Sequence, residues 1–362
     1  MLDQIVLYCS HCPDGGKDLK LAIIGAGWWA ARAYIPLLMN DDRISEILVC
    51  RPDRHGLDVL RDTFGIERGF QDAGEMLDVG DIAGVIVTSP HVLHAEHALM
   101  CIDRGLPVMI EKPMATSIED ARRVAAAARD ADALVVVAYG WNFRPVAAAA
   151  RRLMREGWIG ALQHATCITA SGTAEFFSGH TPSPTKDHLF PPAVSTWADP
   201  ARAGGYAWGQ LTHALGLFYL LVEGAPLGAF ARMGLSGAGV DLNDAGVVTL
   251  DNGATLSVSG TGLLPRTLRK QVDIRLHGSE GVLFVDVERE RVEATRHDGT
   301  SSSVGLAPGD GDYGVTELLA GFVGLCGGED VPNMADADVG RRSVETIDAM
   351  HRSALSGRFE TI

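Results

Sequence analysis

Lys112 is placed for chemistry by what surrounds it. The run Glu111-Lys112-Pro113 follows the apolar stretch Val108-Met109-Ile110, so the lysine stands at the carboxyl end of a predicted parallel strand. Open α/β sheets bind ligands at that edge. An ammonium there can hydrogen-bond a substrate hydroxyl or carbonyl, with Pro113 fixing the backbone behind it. The same domain opens with Gly25-Ala26-Gly27-Trp28-Trp29-Ala30 between a strand and a helix pattern. Gly25 and Gly27 let the backbone approach a pyrophosphate, Trp28 and Trp29 follow directly, and the phosphates would rest on the helix N-terminus.

The second strand ends Val49-Cys50-Arg51, followed by Pro52-Asp53-Arg54. An acidic residue at that strand end would bond a ribose 2′-hydroxyl; Arg51 and Arg54 instead offer guanidinium forks to a 2′-phosphate, which favours NADP(H) over NAD(H). Thr88-Ser89-Pro90 ends the strand predicted at 84–88, and His91 and His94 open the next helix. Ser89, Pro90 and His94 should lie beside a nicotinamide, with His94 in a positioning or structural role.

These groups need a scaffold, and the apolar pattern supplies one. Strands are predicted at 19–24, 46–50, 84–88, 107–110 and 134–138. Helices are predicted at 30–39, 55–64, 94–104 and 118–132, with Ser117 and Asp120 forming an N-cap pair. This βαβ rhythm implies a parallel sheet covered on both faces. A further helix is predicted at 145–156. A loop rich in Pro, Ser, Thr and Gly then runs over 171–205, too long to be a mere connector. Period-two strands at 246–250, 254–259, 272–277 and 282–287 follow, with Asp251-Asn252-Gly253 as a hairpin turn. Helices near 315–326 and 339–356 close the chain.

The chain has 362 residues, with 46% hydrophobic residues and a net charge of -15, which suits two domains with real cores and argues against a nucleic-acid partner. The six cysteines are scattered and suit a reducing, cytoplasmic compartment. Cys9-Ser-His-Cys12 lacks a second pair to complete a zinc site, so no metal is expected. No secretory n-region or membrane-spanning apolar run is seen.

The order of the glycine turn, Thr88-Ser89-Pro90 with His94, then Glu111-Lys112-Pro113, resembles the glucose–fructose oxidoreductase/inositol dehydrogenase (Gfo/Idh/MocA) family. The second half agrees, with Gly204-Gly205 and then His213 on a predicted helix. The resemblance spans nearly the whole chain and implies a Rossmann domain at 19–140, after an extension at 1–18, joined to an α+β domain at 141–362 with a large, mostly antiparallel open sheet. It implies NAD(P)-linked oxidation or reduction of a sugar, cyclitol or related polyol, with Lys112 as the active-site lysine and His213 as the acid–base residue. The departure from the family pattern is Gly209, where an aspartate is usual. A catalytically impaired cofactor-binding sensor or scaffold is therefore the alternative reading.

Substrate contacts are expected from Lys112, His213, Gln210, Tyr206 and Asn142, with structural capping equally open for Asn142 and Arg144. Trp197, Tyr206 and Trp208 are either a wall over a sugar ring or core aromatics. Asp241 and Asp244 read as a turn, and Arg266, Arg269 and Lys270 as a solvated basic patch. Apolar residues on both alternating sets, Val272, Ile274 and Leu276 against Leu283 and Val285, predict a homodimer or homotetramer built through the C-terminal sheet.

Overall fold

The computed structural model describes residues 19–362, so Cys9, Cys12 and the extension at 1–18 lie outside the described residues. Six strands form the first sheet: β1 (Leu19–Ile24), β2 (Ile44–Cys50), β3 (Gly69–Phe70), β4 (Gly84–Val87), β5 (Val108–Ile110) and β6 (Val135–Val137). Their order is β3-β2-β1-β4-β5-β6 and all pair in parallel. Strand order reverses between β1 and β4, which opens a crevice at the carboxyl ends. β4, β5 and β6 are apolar from end to end, and β1 and β2 from Leu21 and Ile47 onward, because both faces are covered there. Ala22, Ile24, Val85 and Val87 pack with Ala98, Ala121 and Val124 on one side; Leu21, Ile23, Ile86 and Met109 pack with Tyr34 and Ile35 on the other. Leu318 and Phe322, from the late helix Val315–Cys326, complete that second layer.

The helix predicted at 30–39 winds differently. A π-turn at Ala30–Tyr34 passes into a short α-helix, Ile35–Leu38. Pro36 has no N–H to donate, which breaks the regular ladder.

The second sheet has nine strands: β7 (Leu162–Ala170), β8 (Pro226–Leu235), β9 (Asp241–Leu250), β10 (Thr255–Thr261), β11 (Gln271–Gly278), β12 (Gly281–Asp286), β13 (Arg291–Arg296), β14 (Ser301–Val304) and β15 (Glu360–Thr361). Their order is β14-β13-β12-β11-β7-β10-β9-β8-β15. Only β7 and β10 pair in parallel. The helices Thr212–Leu221 and Ala337–Ser356 pack on this sheet, and the second also reaches the helix Ile118–Asp130 of the first layer. Among the described residues no helix is long and apolar enough to cross a membrane.

Two sequence expectations are corrected here. Asp241 and Asp244 lie on β9 and are buried, so they are not turn residues. Val272, Ile274, Leu276, Leu283 and Val285 do not fall on two faces. Ile274 pairs with Val285 and Leu276 with Leu283, and directly paired residues share one face; all are buried against the protein's own helices. The outer face carries different apolar residues: Ile168, Phe230 and Val247.

Candidate active site

Four predicted segments meet at the carboxyl edge of the first sheet. The glycine turn follows β1, Arg51 follows β2, Thr88-Ser89-Pro90 follows β4 and Glu111-Lys112 follows β5. Together they line a cleft of about 360 Å³ with Gly25, Gly27, Trp28, Trp29, His91 and His94. Gly25 has φ +80°, and a Cβ there would come within 2.4 Å of the Ser89 backbone, so glycine is required. Thr88 Oγ1 donates to the Gly25 carbonyl at 2.9 Å, which ties the two strand ends together. A backbone cradle of this kind fits a dinucleotide pyrophosphate.

Arg51 enters the cleft and Arg54 does not. The Arg51 guanidinium lies 4.0 Å over the Phe190 ring and donates to the Ala26 carbonyl at 3.3 Å; its Nε is buried without a partner. Asp53 caps the helix Arg54–Phe64 by accepting from Gly56 N, and meets Arg51 Nη2 at 3.4 Å. Arg54 is exposed and donates to Asp58 at 3.0 Å on that same helix.

Lys112 is buried, and its Nζ donates to the Gly209 carbonyl oxygen at 2.8 Å. Its ammonium also lies 5.3 Å from the centre of the Trp197 ring. Burial brings its pKa down to about 8, opposed by the neighbouring Glu111 carboxylate and helped by Lys270. Glu111 is held behind it, accepting from the Lys112 amide at 3.1 Å and from the Tyr34 hydroxyl.

Gly209 belongs to a π-turn, Ala207–Leu211, that runs into the helix Thr212–Leu221 carrying His213. His213 is buried between Trp141 and Tyr313, whose rings meet it edge-on at 5.7 and 5.0 Å. Its Nδ1 has no partner. Burial, then the charges of Lys112 and Lys270, hold its pKa well below the ordinary value, so the imidazole is neutral.

His94 is a brace. Its ring nitrogens lie 2.7 Å from the carbonyl oxygens of Ser89 and Pro113, clasping the ends of β4 and β5 together, and burial lowers its pKa to about 4.

The long loop predicted at 171–205 forms the roof. Phe190, Pro191, Pro192, Ala193, Thr196 and Trp197 face the cleft. Trp28 Nε1 donates to His188 Nδ1 at 2.8 Å, and Trp28 packs against Phe176 and Trp197. The cluster Phe190-Pro191-Pro192 was a legible sign of a stiff apolar segment in a polar loop. Nothing in the sequence marked Tyr313, or singled Lys270 out from the basic patch beside it.

Of the expected substrate residues, Lys112 lines the cleft, whereas His213, Gln210, Tyr206 and Asn142 are not among its lining residues. Asn142 is fully buried and donates to the carbonyls of Gly216 and Met334, a structural tie. Tyr206 is fully buried and accepts from Ser171 Oγ at 3.3 Å. Gln210 sits half-buried on the π-turn beside Gly209. Trp208 stacks on His351. Arg144 pairs with Glu317.

The model of the oxidoreductase family with an NAD-binding Rossmann fold matches residues 19–139, and that of the GFO/IDH/MocA C-terminal domain matches residues 147–284. The chain belongs to the Gfo/Idh/MocA oxidoreductase family. Within this family it is 24% identical, over 67% of its length, to the 1-carboxy-3-chloro-3,4-dihydroxycyclohexa-1,5-diene dehydrogenase of Comamonas testosteroni. It is 28% identical, over 40% of its length, to the D-xylose 1-dehydrogenase [NADP(+)] of Haloarcula marismortui. The matches span 58% and 41% of those two relatives. The fold is shared with levoglucosan dehydrogenase in complex with NADH and levoglucosan, with a TM-score of 0.73, 20% identity, and coverage of 95% of this chain and 99% of that one.

Proposed function

We propose that this chain transfers a hydride between NADP(H) and a hydroxyl/carbonyl carbon of a sugar, cyclitol or related polyol. The observation that carries the reading is that Lys112 opens onto the same cleft as the Gly25–Gly27 turn. The dehydrogenase names of the relatives, and the sugar complex of the structural neighbour, point the same way. When bound, the nicotinamide would supply or accept the hydride. Lys112 uses one of three ammonium protons on Gly209, which leaves two to hold the reacting oxygen. Neutral His213 takes up the hydroxyl proton during oxidation and returns it during reduction.

Arg51 supports NADP(H): its guanidinium lies in the cleft with Nε unpaired, and the neighbouring Asp53 is engaged as a helix cap. We further infer a homodimer or homotetramer built on the outer sheet face, and a cytoplasmic location consistent with the free thiols of Cys50, Cys101, Cys167 and Cys326. The division into domains at about residue 140 belongs to the same reading.

A panel of polyols and keto-sugars with both cofactors, read by absorbance of the reduced nicotinamide, tests the activity. Turnover should vanish in Lys112→Ala while cofactor affinity persists. Cofactor binding with no turnover across the panel would favour the sensor or scaffold alternative.

A further inference from the structure

We propose that the substrate carries an anionic group, a carboxylate in preference to a phosphate, and that Lys270 receives it. This rests on the dehydrogenase reading and adds the substrate's chemical class.

Lys270 is unlike its basic neighbours. Arg266 pairs with Glu175 at 3.1 Å, and Arg269 pairs with Glu290 and Asp312, both at 2.9 Å. Among the described residues no carboxylate pairs with Lys270. Lys270 is an exposed residue whose ammonium lies over the Tyr313 ring, 5.9 Å from the centre. The same ring meets His213 edge-on at 5.0 Å. Tyr313 thus stands within reach of both Lys270 and the group that would exchange the substrate proton. The influence of Lys270 on the pKa values of both Lys112 and His213 agrees with that placement.

The charges around this space do not balance. Lys112 has the Glu111 carboxylate beside it, itself engaged by Tyr34 and the Lys112 amide, whereas among the described residues no carboxylate acts on Lys270. Gly209 adds no carboxylate, and a Cβ there would press on Trp197 at 3.0 Å and Phe177 at 3.2 Å. A protein of net charge -15 thus keeps a local positive surplus where its substrate would sit. One unmatched ammonium calls for one negative charge, which a carboxylate supplies and a phosphate dianion exceeds.

The test uses matched pairs: D-glucose against D-glucuronate, D-galactose against D-galacturonate, and D-glucose 6-phosphate as the phosphate arm. Each is assayed for turnover and, by calorimetry, for binding to the cofactor-loaded full chain. The proposal expects the acids to bind and react better than the neutral sugars. In Lys270→Met the ratio of acid to neutral kcat/KM, or of affinities, should fall roughly ten- to a hundred-fold, with partial recovery in Lys270→Arg. Better use of the 6-phosphate than of the uronates, with the same dependence on Lys270, would keep the anion site and overturn the carboxylate preference. Equal use of acids and neutral sugars, or a ratio unmoved by Lys270→Met, would overturn the anion site and leave the dehydrogenase reading standing. Lys270-dependent binding of the uronates without any turnover would support the site and count against the redox reading.

Discussion

Lys112 Nζ reaches across the cleft to the carbonyl oxygen of Gly209, 2.8 Å away, while Trp197 covers the lysine from the roof. The position where the family usually has an aspartate thus supplies a backbone acceptor, and an indole face stands in for side-chain charge. The two features depend on each other, because Trp197 and Phe177 fill the volume that a Gly209 side chain would need.

Restoring the family residue should therefore do harm. Gly209→Asp has to displace Trp197 or Phe177, and overpacking of this kind costs about 1–3 kcal/mol. Urea unfolding should show a loss in that range, together with weaker substrate binding. A Gly209→Asp variant as stable and active as the parent would mean that the roof swings aside freely.

The two arginines after β2 should behave differently. Arg51 lies in the cleft, so Arg51→Asp should weaken NADP binding roughly ten- to a hundred-fold and improve NAD binding. Arg54 is tied to Asp58 on the exposed side of its helix, so Arg54→Ala should leave both affinities nearly unchanged. Titration of each variant with both cofactors checks the pair. Tighter NAD than NADP binding by the parent protein would overturn the NADP assignment.

The parallel sheet was legible because its strands are apolar runs closed by Gly25, Arg51, Thr88 and Lys112, each with its own local signature. The second sheet was less so. β7 turns Ala165, Cys167 and Thr169 inward, and β8 turns in Ala229 and Ala231 after opening on Pro226 and Gly228. Small inward residues give almost no period-two signal, and an initial proline reads as loop. Sequence placed Lys112 and Arg51 well because strand ends define position. Tyr206 was misjudged, and Asn142 left open, because nothing local says which way a side chain turns once helices and loops pack.

A buried acid pair away from the cleft offers a stability test. Asp244 is buried on β9 with both carboxylate oxygens unpartnered, and burial, then the charge of nearby Asp241, raise its pKa well above the ordinary value. A raised carboxyl pKa means that the folded state holds the proton more tightly. Its stabilisation is full below the unfolded-state value of about 3.9 and is lost as pH rises through the folded value. Asp244→Asn mimics the protonated form and escapes that loss. Its Tm should exceed the parent's at pH 8, by a margin that shrinks toward pH 4. A margin independent of pH would show that Asp244 is not the titrating group.

The outer face of the second sheet predicts assembly. Phe230 pairs directly with Val247 across β8 and β9, and they are 41% and 47% exposed, with Ile168 at 45% on β7. A second copy covering this face would bury them together. Light scattering should give a multiple of 38.5 kDa, and Phe230→Glu with Val247→Glu should shift it toward the single-chain mass. A parent protein already at 38.5 kDa would remove the proposal.

The pH profile separates the roles of Lys112 and His213. Burial and the two nearby lysines keep His213 neutral through the physiological range, so in alcohol oxidation it is ready to accept a proton without first losing one. Lys112 must keep its proton to hold the reacting oxygen, and its pKa stands at about 8. For oxidation, kcat/KM should therefore be flat from near neutrality to about pH 8 and fall above it. Lys112→Arg, which cannot lose its charge, should abolish the alkaline fall even if the rate is low. His213→Asn should lower turnover by ~10²–10⁴-fold at every pH, with cofactor affinity preserved. If the rate instead climbs through pH 8, neutral Lys112 is the base and His213 only shapes the pocket; near-normal turnover in His213→Asn would lead to the same reassignment.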